Sequence, residues 1–355
     1  LLSSANDLLS KVNYWASFFN EHSISIHSDP DESGSNAIIK QMAIKNLNGL
    51  SFGKLRSYPT NRIDYAYGIF PNDIFFTWGK QSTKQIRRSI NNIDNIVISG
   101  FPYNSKLLSN EKSFINSQDL NKTKKTKFKI MLLDTTHDSN FGLVQHVHTS
   151  IMKDFYMEFL DWVLNDSDVS LIIKPKKNDF MVDMDNVKHY FDKVLSETSR
   201  CQVIDNSFQT MASSFVKDVD IVVSISLFMP SALIECIANN AKGVIFDYSY
   251  LRSCENELYE WGENKVIFSD LKKMIKTIKL YKENKFEWPE IGDWTNQVNQ
   301  IDPFRDSKGY KRIGRYINNL HTSLEKGLSS QEAIKFSNER YSHQYGSDKV
   351  YSDIK

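Results

Sequence analysis

The chain lacks most of what would carry it into or across a membrane. None of its apolar runs approaches the roughly 18–20 residues that span a bilayer, and the opening Leu-Leu-Ser-Ser is not the basic-then-apolar start of a signal peptide. A cytoplasmic protein is expected, at most reaching the inner face of the cytoplasmic membrane. Cysteine is scarce as well. Three in 355 residues, Cys201, Cys236 and Cys254, are odd in number, widely spaced and set in apolar or helical context, which argues for reduced thiols rather than a disulfide or zinc framework. Excess charge is also missing: lysine plus arginine number 44 against 43 acidic residues, so no whole-chain field would draw nucleic acid.

What is present is length enough for roughly two domains and a recurring order of short apolar run, polar loop and amphipathic segment. The clearest case is 220–247. Its apolar run 220–224 suits a strand buried on both faces, and Ser224, Ser226 and Ser231 place small hydroxyls where a helix must begin. Pro230 suits the first turn of that helix, Ser231 can supply a side-chain acceptor, and the exposed N–H groups with the helix dipole favour an anion. Glu235 stands one turn in, where a carboxylate can accept both hydroxyls of a ribose; Lys242-Gly243 then closes the helix ahead of a strand at 244–246. The plainer alternative is a structural βαβ unit with a solvated glutamate.

The rest of the chain is organised around that unit. An amphipathic helix is expected over 5–20, a strand at 23–27, a helix over 36–47, and strands at 73–77 and 95–99 that run out into Trp78-Gly79-Lys80 and Gly100-Phe101-Pro102-Tyr103. This first domain, 1–104, holds fewer strand–helix units than the second and reads as incomplete, part of a longer polypeptide with other domains. Residues 105–127, ending in the basic run Asn121-Lys-Thr-Lys-Lys-Thr-Lys127, read as a solvated linker; contact with an anionic membrane surface or an acidic glycan is the alternative. The second domain, 128–300, opens with a strand at 129–133 and the polar loop Asp134-Thr-Thr-His-Asp-Ser-Asn140. A long helix over 141–164, a strand at 170–173 ending in Lys174-Pro-Lys-Lys177, helices at 185–198 and 207–217 with a strand at 202–204 between them, and a helix over 270–282 complete a Rossmann-like pattern. Residues 301–355 read as a basic crossing helix and a polar, peripheral tail.

Two motifs invite a metal reading and do not earn it. Asp183-Met-Asp185 begins a helix, where capping is expected of it. His146-Val-His148 puts two imidazoles two apart on the expected helix, facing different sides, so they cannot share one zinc. No metal site and no cofactor is expected.

Trp78-Gly79, Ser99-Gly-Phe-Pro102, the Ser/Pro/Glu helix at 224–235 and Asp302-Pro-Phe-Arg-Asp-Ser-Lys-Gly309 resemble bacterial surface-polysaccharide glycosyltransferases of the GT-B kind. The layout is similar to capsule and lipopolysaccharide transferases, including those for Kdo or sialic-acid-like sugars, and to the glycerophosphotransferases of teichoic acid synthesis. The resemblance implies two Rossmann-like α/β domains facing across a cleft, with a nucleotide sugar, CMP-Kdo or another nonulosonic acid donor among the options, in the second. The first would hold a glycan or lipid-linked acceptor against Trp78, Gly79, Gly100, Phe101 and Pro102.

Transfer without a metal needs cations, hydroxyls and helix N-termini at the departing phosphate. Thr135, Thr136, His137, Lys174 and Lys176 are the expected contacts, beside Ser224, Ser226, Pro230, Ser231 and Glu235. Several related transferases have His-Pro where this chain has Lys174-Pro175. Asp29, Asp31 and Glu32, directly after a strand, are candidates for the base or nucleophile, against a reading as a turn and helix start. Asp302, Arg305 and Asp306 are expected to form an ion-paired turn, with Arg305 or Arg312 reaching an anionic ligand as the alternative. A nucleotide-sugar 2-epimerase, a glycerophosphotransferase and a noncatalytic glycan-binding module of a multidomain synthase stay open beside the transferase.

Overall fold

The computed structural model describes residues 2–29, 34–58, 70–88, 93–102, 126–139, 147–204, 211–225, 230–248 and 257–352. The chain divides into two compact units, Leu1–Asn104 with Asn299–Lys355, and Ser105–Val298.

The first unit begins with helix α1 (Leu2–Glu21), strand β1 (Ile26–Ser28), helix α2 (Ser35–Asn46) and strands β2 (Leu50–Lys54) and β3 (Ile74–Thr77). Helix α3 (Lys80–Arg88) and strand β4 (Asn95–Ile98) follow. β1 to β4 lie side by side in chain order, all parallel. Val12 and Phe19 of α1 pack with Ile39, Ala43 and Ile44 of α2, so the predicted amphipathic helix is core on one face. Strand β2 escapes sequence reading because Leu-Ser-Phe-Gly-Lys has neither an apolar run nor clean alternation.

The second unit opens with β5 (Phe128–Leu133), two short paired strands β6 (His137–Asp138) and β7 (Val147–His148), helix α4 (Thr149–Asn165), β8 (Val169–Lys174), α5 (Asp185–Glu197) and β9 (Cys201–Val203). A 3₁₀ helix (Ala212–Asp218) stands where an α-helix over 207–217 was expected, 205–210 lying outside the described residues. Then come β10 (Ile221–Ile225), α6 (Ser231–Ala238), β11 (Gly243–Phe246), α7 (Glu257–Gly262), β12 (Ile267–Phe268) and α8 (Leu271–Glu283). The six-stranded sheet runs β12-β11-β10-β5-β8-β9, every pair parallel. That order puts the first strand, β5, in the middle and reverses the direction of winding between β5 and β10, as in a doubly wound Rossmann sheet. Phe128, Ile130, Leu132, Ile221 and Val223 are fully buried between flanking helices, which is why these strands read as continuous apolar runs.

Three local expectations are corrected. His148 is not inside a long helix: its ring accepts from Ser150 N and caps α4 at Thr149, while His146 lies outside the described residues. Asp183 has a positive φ of 62° and Met184 is the N-cap of α5 with no side-chain cap, so Asp183 and Asp185 do not cap the helix as expected. Helix α6 is closed by Asn240 (φ 70°), and Gly243 is already strand.

The chain then returns to the first unit with helices α9 (Gly309–Glu325) and α10 (Ser330–Tyr345) and strand β13 (Val350–Ser352), which pairs antiparallel with β4. The tail expected to be peripheral is core. Tyr316, Leu320, Ala333, Ile334 and Tyr341 pack on Ile74, Phe76 and Val97, and Asn338 Nδ2 donates to Asn95 Oδ1 (2.9 Å). Its polar composition hid one apolar stripe per helix.

Candidate functional site

In the second unit the site is laid out by strand register. Ser224 of β10 stands opposite Leu133 of β5, and Leu133 opposite Lys174 of β8, so one row crosses the carboxyl ends of three adjacent strands at the switch point. Asp134 follows Leu133 directly. α6 begins at Ser231 just beyond β10, with Pro230 at its N-cap position rather than inside its first turn, and brings Glu235 back to the same end of the sheet.

Burial displaces the pKa values of these groups. Glu235 is 7 % exposed; burial pushes its carboxyl up to about 7, against the opposing pull of Ser213 and of the Lys174 charge. Its Oε1 accepts from Ser213 N (3.1 Å) and from the Ser213 hydroxyl. Glu235 is therefore not the unengaged carboxylate expected, since one of its two oxygens is taken by Ser213. Burial holds Lys174 below its ordinary value, with Glu235 and Asp134 pulling the other way. Asp134 is raised to about 6 by burial, against hydrogen bonds from Lys176 N to its Oδ2 (3.1 Å), from the Tyr156 hydroxyl and from Thr135 N. The buried Tyr156 hydroxyl faces that carboxylate, and burial, followed by the Asp134 charge and hydrogen bond, lifts it well above its usual range.

The other expected phosphate contacts divide. His137 is engaged by the chain: Nε2 donates to the Phe180 carbonyl (3.0 Å), which can only accept, and Nδ1 shares a hydrogen bond with Thr149 Oγ1 (3.2 Å). Both nitrogens are spent on packing the loop. Thr136 gives its carbonyl to Val147 N (3.2 Å), and Thr135 and Thr136 are half-buried beside Asp134. Lys176 is exposed; Ser224 is buried, and Ser226 lies outside the described residues. Sequence reasoning missed Asp134 as a site residue, although an acid ending the first strand of the unit was visible, and it had no signal for Ser213.

In the first unit the corresponding strand ends are closed by the chain itself. Trp78, Phe101 and Pro102 are buried, and Trp78 Nε1 donates to Leu55 O (3.0 Å) while its ring meets Phe101 edge-on at 4.8 Å. A Cβ on Gly79 would lie 2.3 Å from Ile301 O, and Gly100 (φ 75°) faces Asp302 Oδ1 and Arg312. Asp302 accepts from Phe101 N (3.1 Å), Phe304 N (2.9 Å) and Arg305 N (3.1 Å). Arg312 donates to Ser99 O (2.6 Å), grips Asp306 with both terminal nitrogens (2.9 and 2.8 Å) and lies 3.7 Å over the Phe304 ring. Burial alone would raise Asp306, but Arg312 holds it low. The ion-paired turn is thus present with Arg312, not Arg305, as its cation. Trp78, Gly79, Gly100, Phe101 and Pro102 are corrected from an acceptor surface to a packed seam.

The acidic loop is described only at its edge. Asp29 is bound by Lys40 Nζ at 2.6 Å, with His27 Nε2 at 3.8 Å and the Lys40 ammonium 4.8 Å over Trp15; burial, then Lys40, lowers His27. This ion pair ties α2 to the end of β1, so Asp29 is already engaged by the chain. Asp31 and Glu32 lie outside the described residues. Among the described residues no three metal-ligating side chains come together. No helix among them is long and apolar enough to cross a membrane.

No protein-family model and no curated protein matches the chain. Solved structures do match in fold. Staphylococcus aureus MnaA, solved with UDP, shares 13 % identity at a TM-score of 0.58, over 90 % of this chain and 82 % of that one. A UDP-N-acetylglucosamine 2-epimerase shares 12 % at 0.53, over 91 % and 78 %. HepE of Anabaena, solved with UDP and glucose, shares 11 % at 0.50, over 86 % and 80 %. The fold is that of GT-B enzymes, two Rossmann-like α/β units in one chain.

Proposed function

We propose that the chain is a metal-independent glycosyltransferase that moves a sugar from a nucleotide-activated donor to a bacterial surface glycan or its lipid-linked precursor. The observation that carries this reading is the row of Ser224, Leu133 and Lys174 across the switch point, with Glu235 and Asp134 within reach of the Lys174 charge. Lys174 and the first N–H groups of α6 would neutralise the departing phosphate, and Glu235 Oε2 would take a ribose hydroxyl. UDP is the first nucleotide to test, because MnaA and HepE, similar in fold, were solved with it; a CMP-activated nonulosonic acid is the alternative donor. With Asp29 held by Lys40, Asp31 or Glu32 is the proposed base.

A second reading, a nucleotide-sugar 2-epimerase, is favoured by the likeness to a 2-epimerase. Product analysis with a panel of nucleotide sugars, with and without acceptor glycans and with EDTA, separates the two. The transferase reading expects sugar transfer only when acceptor is present, surviving EDTA. An epimer formed without acceptor would establish the second reading, and turnover lost in EDTA and restored by manganese or magnesium would overturn metal independence.

A further inference from the structure

Helix α8 and the loop after it present a surface that nucleotide binding does not use. One face of α8 is core: Met274, Ile275, Ile278 and Tyr281 are buried. The other exposes Lys272, Lys273, Lys276 and Lys279, then Leu280 at 40 %. Beyond the helix, Phe286 is 96 % exposed and Trp288 36 %. Single exposed apolar side chains are ordinary on soluble proteins, but three large ones within 280–288 beside four exposed ammonium groups form a patch.

The backbone under this patch is pinned. Lys282 reaches Asp166 (2.8 Å) and Lys285 reaches Asp220 (2.6 Å), while Lys242 donates to the carbonyls of Pro289 (2.5 Å) and Ile291 (3.1 Å). Phe286 is therefore held out by a fixed loop.

We propose that this face docks on an anionic lipid bilayer. Phenyl, indole and leucine side chains enter the headgroup region, and the four lysines bury their stems while their ammonium groups stay at phosphate level. The charge chooses the occupant. Lysine is depleted from protein–protein interfaces, whereas lysines beside exposed aromatics complement anionic headgroups. Asp270 at the helix start and Glu283, Glu287, Glu290 and Asp293 beside or after the aromatic side chains oppose the lysines, so binding should be weak, reversible and salt-sensitive. The proposal stands on exposure and charge alone and can fail without touching the nucleotide reading.

The test is co-sedimentation of the full chain with phosphatidylcholine vesicles, with and without phosphatidylglycerol. Binding is expected only to the anionic vesicles, and high salt should release it. Phe286→Ser with Trp288→Ser should lower the partition coefficient about tenfold or more. Lys272→Glu, Lys273→Glu, Lys276→Glu and Lys279→Glu should each cost about fivefold. Circular dichroism and thermal unfolding check that each variant is folded. Neutralising Lys122, Lys124, Lys125 and Lys127 should leave binding intact. The proposal is overturned if wild-type protein ignores anionic vesicles, if the α8 and loop variants bind as well as it does, or if the 122–127 run alone controls binding. Self-association of the wild type that Phe286→Ser abolishes would assign the patch to a second copy instead.

Discussion

The carboxyl ends of the parallel strands are used in opposite ways in the two units. Past β3 and β4 they are sealed: Gly79 and Gly100 receive the chain at 301–312, and Asp302 and Arg312 spend their polar atoms on backbone and on each other. Past β5, β8 and β10, burial raises Asp134 to about 6 and Glu235 to about 7 and lowers Lys174. The same place in a parallel sheet is a seam in one unit and a candidate site in the other. Position alone does not make a site; what matters is whether the polar groups there are already satisfied by the chain.

The seam breaks most severely. Gly79→Ala must push a methyl into the Ile301 carbonyl, and Arg312→Ala leaves the Ser99 carbonyl and Asp306 without their cation. Each should cost about 3–5 kcal/mol in urea unfolding, with residual nucleotide affinity unchanged in whatever protein folds. If the proposed base is right, Asp31→Asn or Glu32→Gln lowers turnover by about 10²–10⁴-fold without weakening nucleotide binding. Asp29→Asn should act on stability instead, through Lys40. Near-normal turnover in both Asp31 and Glu32 variants would move the base elsewhere.

Effects at the candidate site are smaller. Lys174→Met should weaken nucleotide binding by about 1.5–3 kcal/mol in calorimetry, with little change in unfolding, because a cation held below its ordinary pKa by burial adds little to the fold. Glu235→Gln acts through pH. A carboxyl raised from 4.5 to about 7 on folding stabilises the protein fully while protonated, below about pH 4.5, and that contribution is lost as pH rises through about 7. Wild-type stability should therefore fall relative to the glutamine variant between pH 4.5 and 7.5, by on the order of 3 kcal/mol. Parallel pH curves would mean that Glu235 is not held protonated by burial.

The second unit was legible because its strands are continuous apolar runs, so β5, β8 and β10 and the start of α6 stood out in the sequence. The positions of Lys174, Ser224 and Glu235 at the ends of these elements followed from that. What stayed hidden depends on distance along the chain. Phe101 and Ser99 meet Asp302 and Arg312 across more than two hundred residues, and no local pattern announces that a Gly-Phe-Pro loop will be plugged. Ser213, which holds Glu235, sits on a 3₁₀ turn with no periodicity to read. Strand β13 and the apolar stripe of α10 were lost in a tail whose average composition is polar.

Hydrogen–deuterium exchange with and without saturating UDP tests the contrast between the two strand ends most directly. The account predicts slowed exchange in peptides covering 133–138, 172–177 and 230–236, and no change over 77–80 and 98–102. Protection of the second set with none in the first, or no protection anywhere for UDP and for CMP alike, would contradict the assignment of the nucleotide to the second unit.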